Sequence, residues 1–139
     1  MKKQLFLFVI FIALGAICIA ATTTKKVEKK PDLVVTKVKA TKHPIQKNKV
    51  IIEYSIKNQG NAASVTTQTG ITPLTGSKKI QQTTAPIAPG QTTTQTCIID
   101  STKNGKYNIS VSADYMNQNV ELNEANNENT IKFSVGGKF

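Results

Sequence analysis

The sequence predicts an all-β protein, an antiparallel β-sandwich of about seven short strands. Two observations predict it. Apolar and polar residues alternate with a period of two along short segments, and turns rich in glycine, proline and asparagine separate those segments. In addition, no apolar pattern with the helical period of about 3.6 residues is sustained outside the first 21 residues.

Two segments carry the clearest alternation. In "NKVIIEYSIKN" one face holds Val50, Ile52, Tyr54 and Ile56. In "KYNISVSADY" one face holds Tyr107, Ile109, Val111, Ala113 and Tyr115. The pattern therefore places these apolar and aromatic side chains in the core.

Five further strands complete the set, and turn residues mark where strands end. They are expected at residues 32–40, 65–72, 79–84, 91–100 and 130–135, and the second and third of them are weaker and rich in threonine. Gly60 breaks the chain after the second strand, and "APIAPG" predicts a stiff corner with a positive φ angle at Gly90. Asn104-Gly105 predicts a further turn.

The N-terminus has the layout of a secretory signal peptide. Lys2 and Lys3 precede an unbroken apolar run from Leu5 to Ala21, which small residues close. Residues 1–21 are therefore expected to be a cleaved signal, and the protein to be secreted or held at the cell surface. The alternative is an uncleaved membrane anchor, because the run is just long enough to span a bilayer.

The rest of the chain divides into a short leader and one domain. Residues 22–31, "TTTKKVEKKP", are expected to form a basic flexible tether, and residues 32–136 the β-domain. Without the signal only Cys97 remains, so no disulfide forms within the domain, and its stability depends on packing.

A family resemblance rests on four segments: "PDLVVTKV", "VIIEYSIKNQGNAAS", "IAPGQTTT" and "VSADYMNQNVELNEANNEN". Their order and spacing resemble the CARDB family, named for a cell-adhesion-related domain found in bacteria, from about Pro31 to Val135. The resemblance implies an immunoglobulin-like sandwich on exported prokaryotic proteins, usually as one module among several, with an interaction or spacer role. This sequence departs from that habit, because it shows a single domain.

The segment "ADYMNQNVELNEANNEN", residues 113–129, holds four carboxylates and six asparagines in a chain of net charge +10. The favoured interpretation is a structural loop between two strands, since Asn and Asp bond to nearby backbone amides. Glu121, Glu124 and Asn127 would then fix the loop through hydrogen bonds to the backbone.

The competing interpretation of this loop is a calcium site. Calcium takes about six to eight oxygen ligands, and the loop offers five candidates. They are Asp114, Asn117, Asn119, Glu121 and Glu124. The spacing does not match an EF-hand, and the glycine which that loop requires is missing. The structural loop is therefore preferred, and no cofactor is expected unless this site takes calcium.

Catalytic patterns are missing from the sequence. His43 is the only histidine and precedes Pro44 in an expected loop, so it is interpreted as a solvated turn residue. Cys97 has no basic neighbour on its strand and is interpreted as an inert thiol. The sequence therefore predicts that the protein is not an enzyme.

Lysines concentrate in the N-terminal half of the domain, which indicates a solvated basic face. Its plausible partners are anionic wall polymers or lipid headgroups. Nucleic acid is not expected, because a single-strand site also needs exposed aromatic rings. Tyr54, Tyr107, Tyr115 and Phe133 all fall on predicted core positions.

The leading functional hypothesis is an exported, non-catalytic binding or adhesion module that presents loops or a sheet edge to a protein or glycan. The threonine-rich segment from Val65 to Thr84 is one candidate edge for strand addition. Equally, Lys78 and Lys79 beside it are residues that discourage edge pairing. The alternatives are a calcium-dependent ligand-binding domain that uses the loop of residues 114–128, and a structural spacer.

Overall fold

A computed structural model describes residues 26–73, 78–101 and 105–135. Its seven strands are β1 Leu33–Lys42, β2 Lys49–Asn58, β3 Thr67–Pro73, β4 Ile80–Thr84, β5 Thr92–Asp100, β6 Gly105–Ser112 and β7 Glu128–Val135. They form a three-stranded sheet in the order β1-β2-β5 and a four-stranded sheet in the order β4-β3-β6-β7, with every pair antiparallel. The predicted seven-strand antiparallel sandwich is confirmed. In the described ranges, no helix has the length and apolar character to cross a membrane.

The core forms where the alternating faces of the two sheets meet. Tyr54 at the centre of β2 is completely buried, and its neighbours on the same face are buried with it. The buried hydrophobic residues are Leu33, Val35, Val50, Ile52, Tyr54, Ile56, Ile71, Ile87, Ile99, Ile109, Val111 and Ala113. Because side chains point to opposite faces with a period of two, the sequence pattern is sufficient to select most of this set.

One corner of the sandwich depends on Asn58, at the end of β2. Its side chain is fully buried and makes four hydrogen bonds to backbone groups. Asn58 Oδ1 accepts from the N–H groups of Asp32 at 3.1 Å and Gly60 at 3.0 Å. Asn58 Nδ2 donates to the carbonyls of Ala62 and Ile87, both at 2.8 Å. This one side chain therefore joins the N-terminal segment, the turn after β2 and the segment before β5.

The N-terminal segment packs closely against this corner. A Cβ atom on Gly60 would lie 2.4 Å from the carbonyl oxygen of Lys30, so only glycine fits there. Lys30 N donates to Asn61 Oδ1 at 2.8 Å, and Asn61 Nδ2 donates to the carbonyl of Glu28 at 3.0 Å. The last residues of the expected tether, residues 22–31, are thus hydrogen-bonded to the domain. The signal or anchor, residues 1–21, lies outside the described residues, as does most of the predicted Asn104-Gly105 turn.

Reciprocal hydrogen bonds from two glutamines close one side of the sandwich, between β4 and β5. Gln82 Nε2 donates to the carbonyl of Thr96 on β5, and Gln95 Nε2 donates to the carbonyl of Thr83 on β4. Their side-chain oxygens both accept from the buried Tyr54 hydroxyl. The β4 edge, which the sequence suggested for strand addition, is therefore bonded to β5.

Candidate functional site

The loop between β6 and β7, residues 113–127, begins with a tight turn at Asp114. Asp114 has a positive φ of 42° and is 1% exposed. Its Oδ1 accepts from the Thr67 hydroxyl and from Gln118 N at 2.9 Å, and its Oδ2 accepts from Asn119 N at 2.7 Å. Both carboxylate oxygens thus have protein partners, and three donors fix the turn.

The turn at Asp114 reverses the direction of the next side chain. The sequence pattern placed Tyr115 in the core, and that prediction is wrong. Tyr115 packs on the outer face of the four-stranded sheet, where a Cβ on Gly70 would lie 2.7 Å from its ring. The ammonium of Lys79 lies 3.2 Å from the ring centroid, a cation–π contact. Strict alternation fails here because the backbone leaves the extended conformation at Asp114.

Three other proposed ligands have different surroundings. Asn117 also has a positive φ, 50°, and is exposed. Asn119 is buried, and its Oδ1 accepts from Val65 N at 2.8 Å. Glu124 is exposed, and its Oε1 accepts from Glu121 N at 2.9 Å. These contacts fold the loop upon itself and attach it to the segment that leads into β3.

Side chains of the β6–β7 loop and of the start of β7 pair with the free edge of β1. Glu121 Oε2 accepts from Leu33 N at 2.9 Å. With its amide oriented to satisfy its surroundings, Asn127 donates to the Leu33 carbonyl at 3.0 Å and to Glu121 Oε2 at 3.1 Å. Asn129 Nδ2 donates to the Val35 carbonyl at 3.1 Å. Side chains here take the place of a neighbouring strand.

Glu121 is a buried carboxyl group with other carboxylates nearby. Its side chain is 5% exposed, and its Oε1 is buried with no hydrogen-bond partner among the described residues. Burial raises the pKa of Glu121 to about 7, the Leu33 N–H opposes that rise, and the nearby carboxylates of Asp114, Glu124 and Asp32 add to it. The carboxyl of Glu121 therefore binds a proton far more readily than an exposed glutamate does.

We expect the Glu121 carboxyl to make stability depend on pH. Its folded pKa, about 7, lies above the ordinary 4.5, so the folded state holds the proton more strongly and stability falls as pH rises from 4.5 to 7. Unfolding free energy should drop by about 2 kcal/mol, with allowance for solvent screening. Urea denaturation at about pH 5 and at about pH 8 measures this drop in the free energy of unfolding.

The variant Glu121→Gln, a neutral isostere, should remove most of that fall and stabilise the domain at the higher pH. Glu128→Gln changes an exposed carboxylate at the start of β7 and is the matched control, which should keep the pH dependence. An unchanged pH dependence in Glu121→Gln would show that other groups cause it.

Of the five proposed calcium ligands, Asp114, Asn119 and Glu124 accept hydrogen bonds from backbone N–H groups. Within the parts of the chain that the structure describes, no group of three or more Asp, Glu, His or Cys side chains is placed to hold a metal ion. Asp114 is saturated by its donors, whereas Glu121 keeps one unpaired oxygen. Of these two buried carboxylates, Glu121 is therefore the one with an oxygen atom available to a cation.

The histidine and the cysteine of the domain lie outside the β6–β7 loop. His43 stands in the β1–β2 turn, where its Nδ1 accepts from Ile45 N at 3.3 Å and Gln46 N at 3.0 Å. Cys97 is partly buried on β5, and burial raises its pKa to about 11. A thiol with that pKa is protonated near neutral pH and is a poor nucleophile.

The comparisons with known proteins agree with this fold. The sequence model of the CARDB family matches residues 30–131, which is most of the chain. The chain belongs to the CARDB family. Membership of this family indicates a non-catalytic, adhesion-related module. Comparison with curated proteins gave no match.

Two solved structures of CARDB domains are similar to this one. Both are of the PF1109 protein of Pyrococcus furiosus. The crystal structure, described as a complex with di-metal ions, has a TM-score of 0.60 and 26% identity over 76% of this chain and 88% of that one. The solution structure has a TM-score of 0.61 and 27% identity over 77% of this chain and 96% of that one.

A more distant likeness concerns part of a large enzyme. β-Glucosidase 3B of Thermotoga neapolitana has a TM-score of 0.51 and 17% identity, and the match covers 77% of this chain and 16% of the enzyme. At that identity the likeness shows the fold alone.

Proposed function

We propose that this CARDB domain is an exported binding module of adhesion type, which presents a sheet edge to a partner at the cell surface. The signal-like N-terminus supports export. The observation that carries the proposal is the unequal closure of the two sides of the sandwich. Glutamines join β4 to β5 on one side, whereas on the other side the β1 edge at Val38 and Ala40 has no strand partner in the described ranges. Ile131, Phe133 and Val135 of β7, the strand that packs against β1, are partly buried. Partly buried apolar side chains beside a strand edge suit a protein partner.

The lysines of the three-stranded sheet support a place close to an anionic surface. Lys37, Lys39 and Lys57 are exposed on β1 and β2, and a single carboxylate, that of Glu53, lies among them and bridges Lys37 at 2.9 Å. Anionic wall polymers or lipid headgroups would attract this face over a distance set by the salt concentration. The charge steers the domain to the surface, and the edge binds the partner.

Surface binding is tested with a fluorescently labelled protein of residues 22–139, which contains every described strand and the core. It is added to cells of the producing organism that lack the gene, and the retained fraction is measured as salt rises. We expect saturable retention that persists at about 0.5 M salt, where exposed charges are largely screened. Retention that disappears with salt, or never saturates, would reduce the interaction to unspecific attraction and contradict the proposal.

The second candidate function is the binding of a divalent cation at Glu121. The buried, unpaired Glu121 Oε1 among neighbouring carboxylates favours it, and a related CARDB domain was crystallised with di-metal ions. A cation would neutralise Glu121 as a proton does, with Glu124, Asn117 and Asn119 as further oxygen ligands after the loop rearranges. Asp114 would have to give up hydrogen bonds to join them.

Calcium itself is the probe for this candidate. At a pH above 7, where Glu121 is ionised, millimolar calcium should raise Tm over that in EDTA by several degrees, since a hundredfold excess over Kd stabilises by about 2.7 kcal/mol. Glu121→Gln should lose the effect, and Glu128→Gln should keep it. Equal Tm values in calcium and EDTA would leave the proton as the ion that neutralises Glu121.

A further inference from the structure

The two sheets differ by one strand, and β7 lies at the edge of the larger sheet. In the four-stranded sheet, β6 is followed by β7 at the edge, whereas the three-stranded sheet ends at β1. Ile109 and Val111 of β6 are completely buried, but the inward side chains of β7, Ile131, Phe133 and Val135, are only partly covered. β1 packs against β7, so a fourth strand beside β1 would extend the smaller sheet along the β7 side of the sandwich.

The free edge of β1 can be assigned from its hydrogen bonds. Leu33 directs both its N–H and its C=O to side chains of the β6–β7 loop, so these groups point away from β2. In an antiparallel ladder the residues alternate between facing the partner strand and facing away. Val34 therefore faces β2, where it is opposite Lys57, and the odd-numbered residues of β2 face β1.

Past the bulge at Thr36, the same register shows which groups are open. Lys37 and Lys39 stand opposite odd-numbered residues of β2 and bond to it. Val38 and Ala40 therefore point their backbone N–H and C=O groups outward. In the described ranges no strand pairs with this edge of β1, and no hydrogen bond to these groups comes from outside β2. Side chains of the β6–β7 loop and of Asn129 thus satisfy the edge at Leu33 and Val35, and the outward groups of Val38 and Ala40 stay open.

We propose that the edge of β1 from Val38 to Ala40 accepts an extended, acidic segment of a partner protein as a fourth strand of the smaller sheet. This inference rests on the proposed function and names its partner class. Alternate apolar side chains of the segment pack against Ile131, Phe133 and Val135. The intervening acidic side chains point outward, on the face that carries the lysines of β1.

The positive charge of β1 favours an acidic partner segment over a second copy of this chain at the edge. Lys37 and Lys39 are exposed on the outer face of β1, so a segment with glutamate or aspartate at its outward positions forms opposite-charge cross-strand pairs. A second copy of the same chain, docked edge to edge, would set one row of lysines against another. Like charges in directly opposed positions are destabilising, and the lysines act against self-association.

The test uses two synthetic peptides of about eight residues, the length of an ordinary strand. One alternates valine with glutamate and the other valine with lysine, and each is titrated into the protein of residues 22–139. NMR chemical shifts and amide hydrogen exchange are followed. We expect the acidic peptide to bind, to slow exchange at Val38 and Ala40, and to exceed the lysine peptide in affinity.

A pair of proline variants places the binding on one edge. Ala40→Pro removes an outward N–H from β1, and proline is tolerated where the N–H faces outward on an edge strand. It should weaken the acidic peptide about tenfold, the equivalent of one lost hydrogen bond. Ile98→Pro is the matched control, since Ile98 faces outward on β5, and it should leave affinity unchanged. Tm values confirm that both variants fold.

Three results would overturn the inference: no binding of the acidic peptide at millimolar concentration, equal loss in both proline variants, or protection of amides elsewhere. A concentration-dependent change in molecular mass without peptide would instead assign the edge to a second copy. If the peptide fails while salt-resistant retention on cells persists, the module binds its partner through another surface, and the proposed function stands.

Discussion

Replacing Asn58 by alanine should destabilise the domain by about 4–5 kcal/mol, a large fraction of the stability of a typical domain. The substitution leaves the N–H groups of Asp32 and Gly60 and the carbonyls of Ala62 and Ile87 without their partner. Buried polar groups that lose their hydrogen bonds cost about 1–3 kcal/mol each. Urea denaturation at equilibrium measures the loss.

Two further variants separate this explanation from a general effect of losing an asparagine. Asn123→Ala removes an exposed side chain whose amide oxygen accepts one bond, from Ala125 N, and should cost less than about 1 kcal/mol. Asn58→Asp keeps the acceptor but loses both donations and buries a charge, so it should be at least as damaging as alanine. A loss for Asn58→Ala no larger than that for Asn123→Ala would contradict the structural assignment.

The strands themselves could be predicted from the sequence because their pattern is local. The alternation in β2 selects Ile52, Tyr54 and Ile56, all of which are completely buried. Gly90 has the positive φ, 74°, that the "APIAPG" corner predicts, since proline and glycine impose their backbone angles directly. Where one residue type dictates geometry, a single sequence is sufficient.

Features that depend on distant segments could not be predicted. Gly60 was interpreted as a break in the strand, but it is required because the backbone near Lys30 passes within contact distance. Asn58, with its partners on three other segments, gave no signal because each partner is a backbone group without sequence identity. Phe133 has the inward alternation of a core residue yet stays partly exposed, because it lies on the edge strand β7, where its ring stacks on Tyr107.

The role of the acidic loop could not be predicted from the sequence either. Its composition suits both a calcium site and a set of backbone-bonding side chains, and composition alone does not decide between them. The geometry separates the members of the loop. Asp114 and Asn127 are committed to protein donors and acceptors, whereas Glu121 retains an unpaired oxygen. Because Glu121 also binds Leu33 N, the loop is coupled to the half of the β1 edge that precedes the proposed docking edge.

The second large effect is expected for Asp114→Ala, which should destabilise the domain by about 3–4 kcal/mol. The buried carboxylate accepts from the Thr67 hydroxyl and from the N–H groups of Gln118 and Asn119, and hydrogen bonds to a charged group are worth more than neutral ones. Alanine is also less tolerant than aspartate of the positive φ at this position. Thermal and urea unfolding in EDTA measure the change.

Asp114→Asn is the matched control, because asparagine accepts the positive φ and keeps one acceptor oxygen. We expect it to lose about half as much as alanine, since an amide nitrogen then faces the Asn119 N–H. Measuring the same loss of stability in calcium shows whether Asp114 fixes the loop or binds the ion. If Asp114 fixes the loop, the loss from Asp114→Ala is the same in EDTA and in calcium. If it is a ligand, EDTA alone lowers the unaltered protein to the level of the variant, and the difference disappears. The first outcome would make Asp114 a structural residue and would leave Glu121, with its unpaired buried oxygen, as the carboxyl at which a bound proton or metal ion changes the stability of the domain.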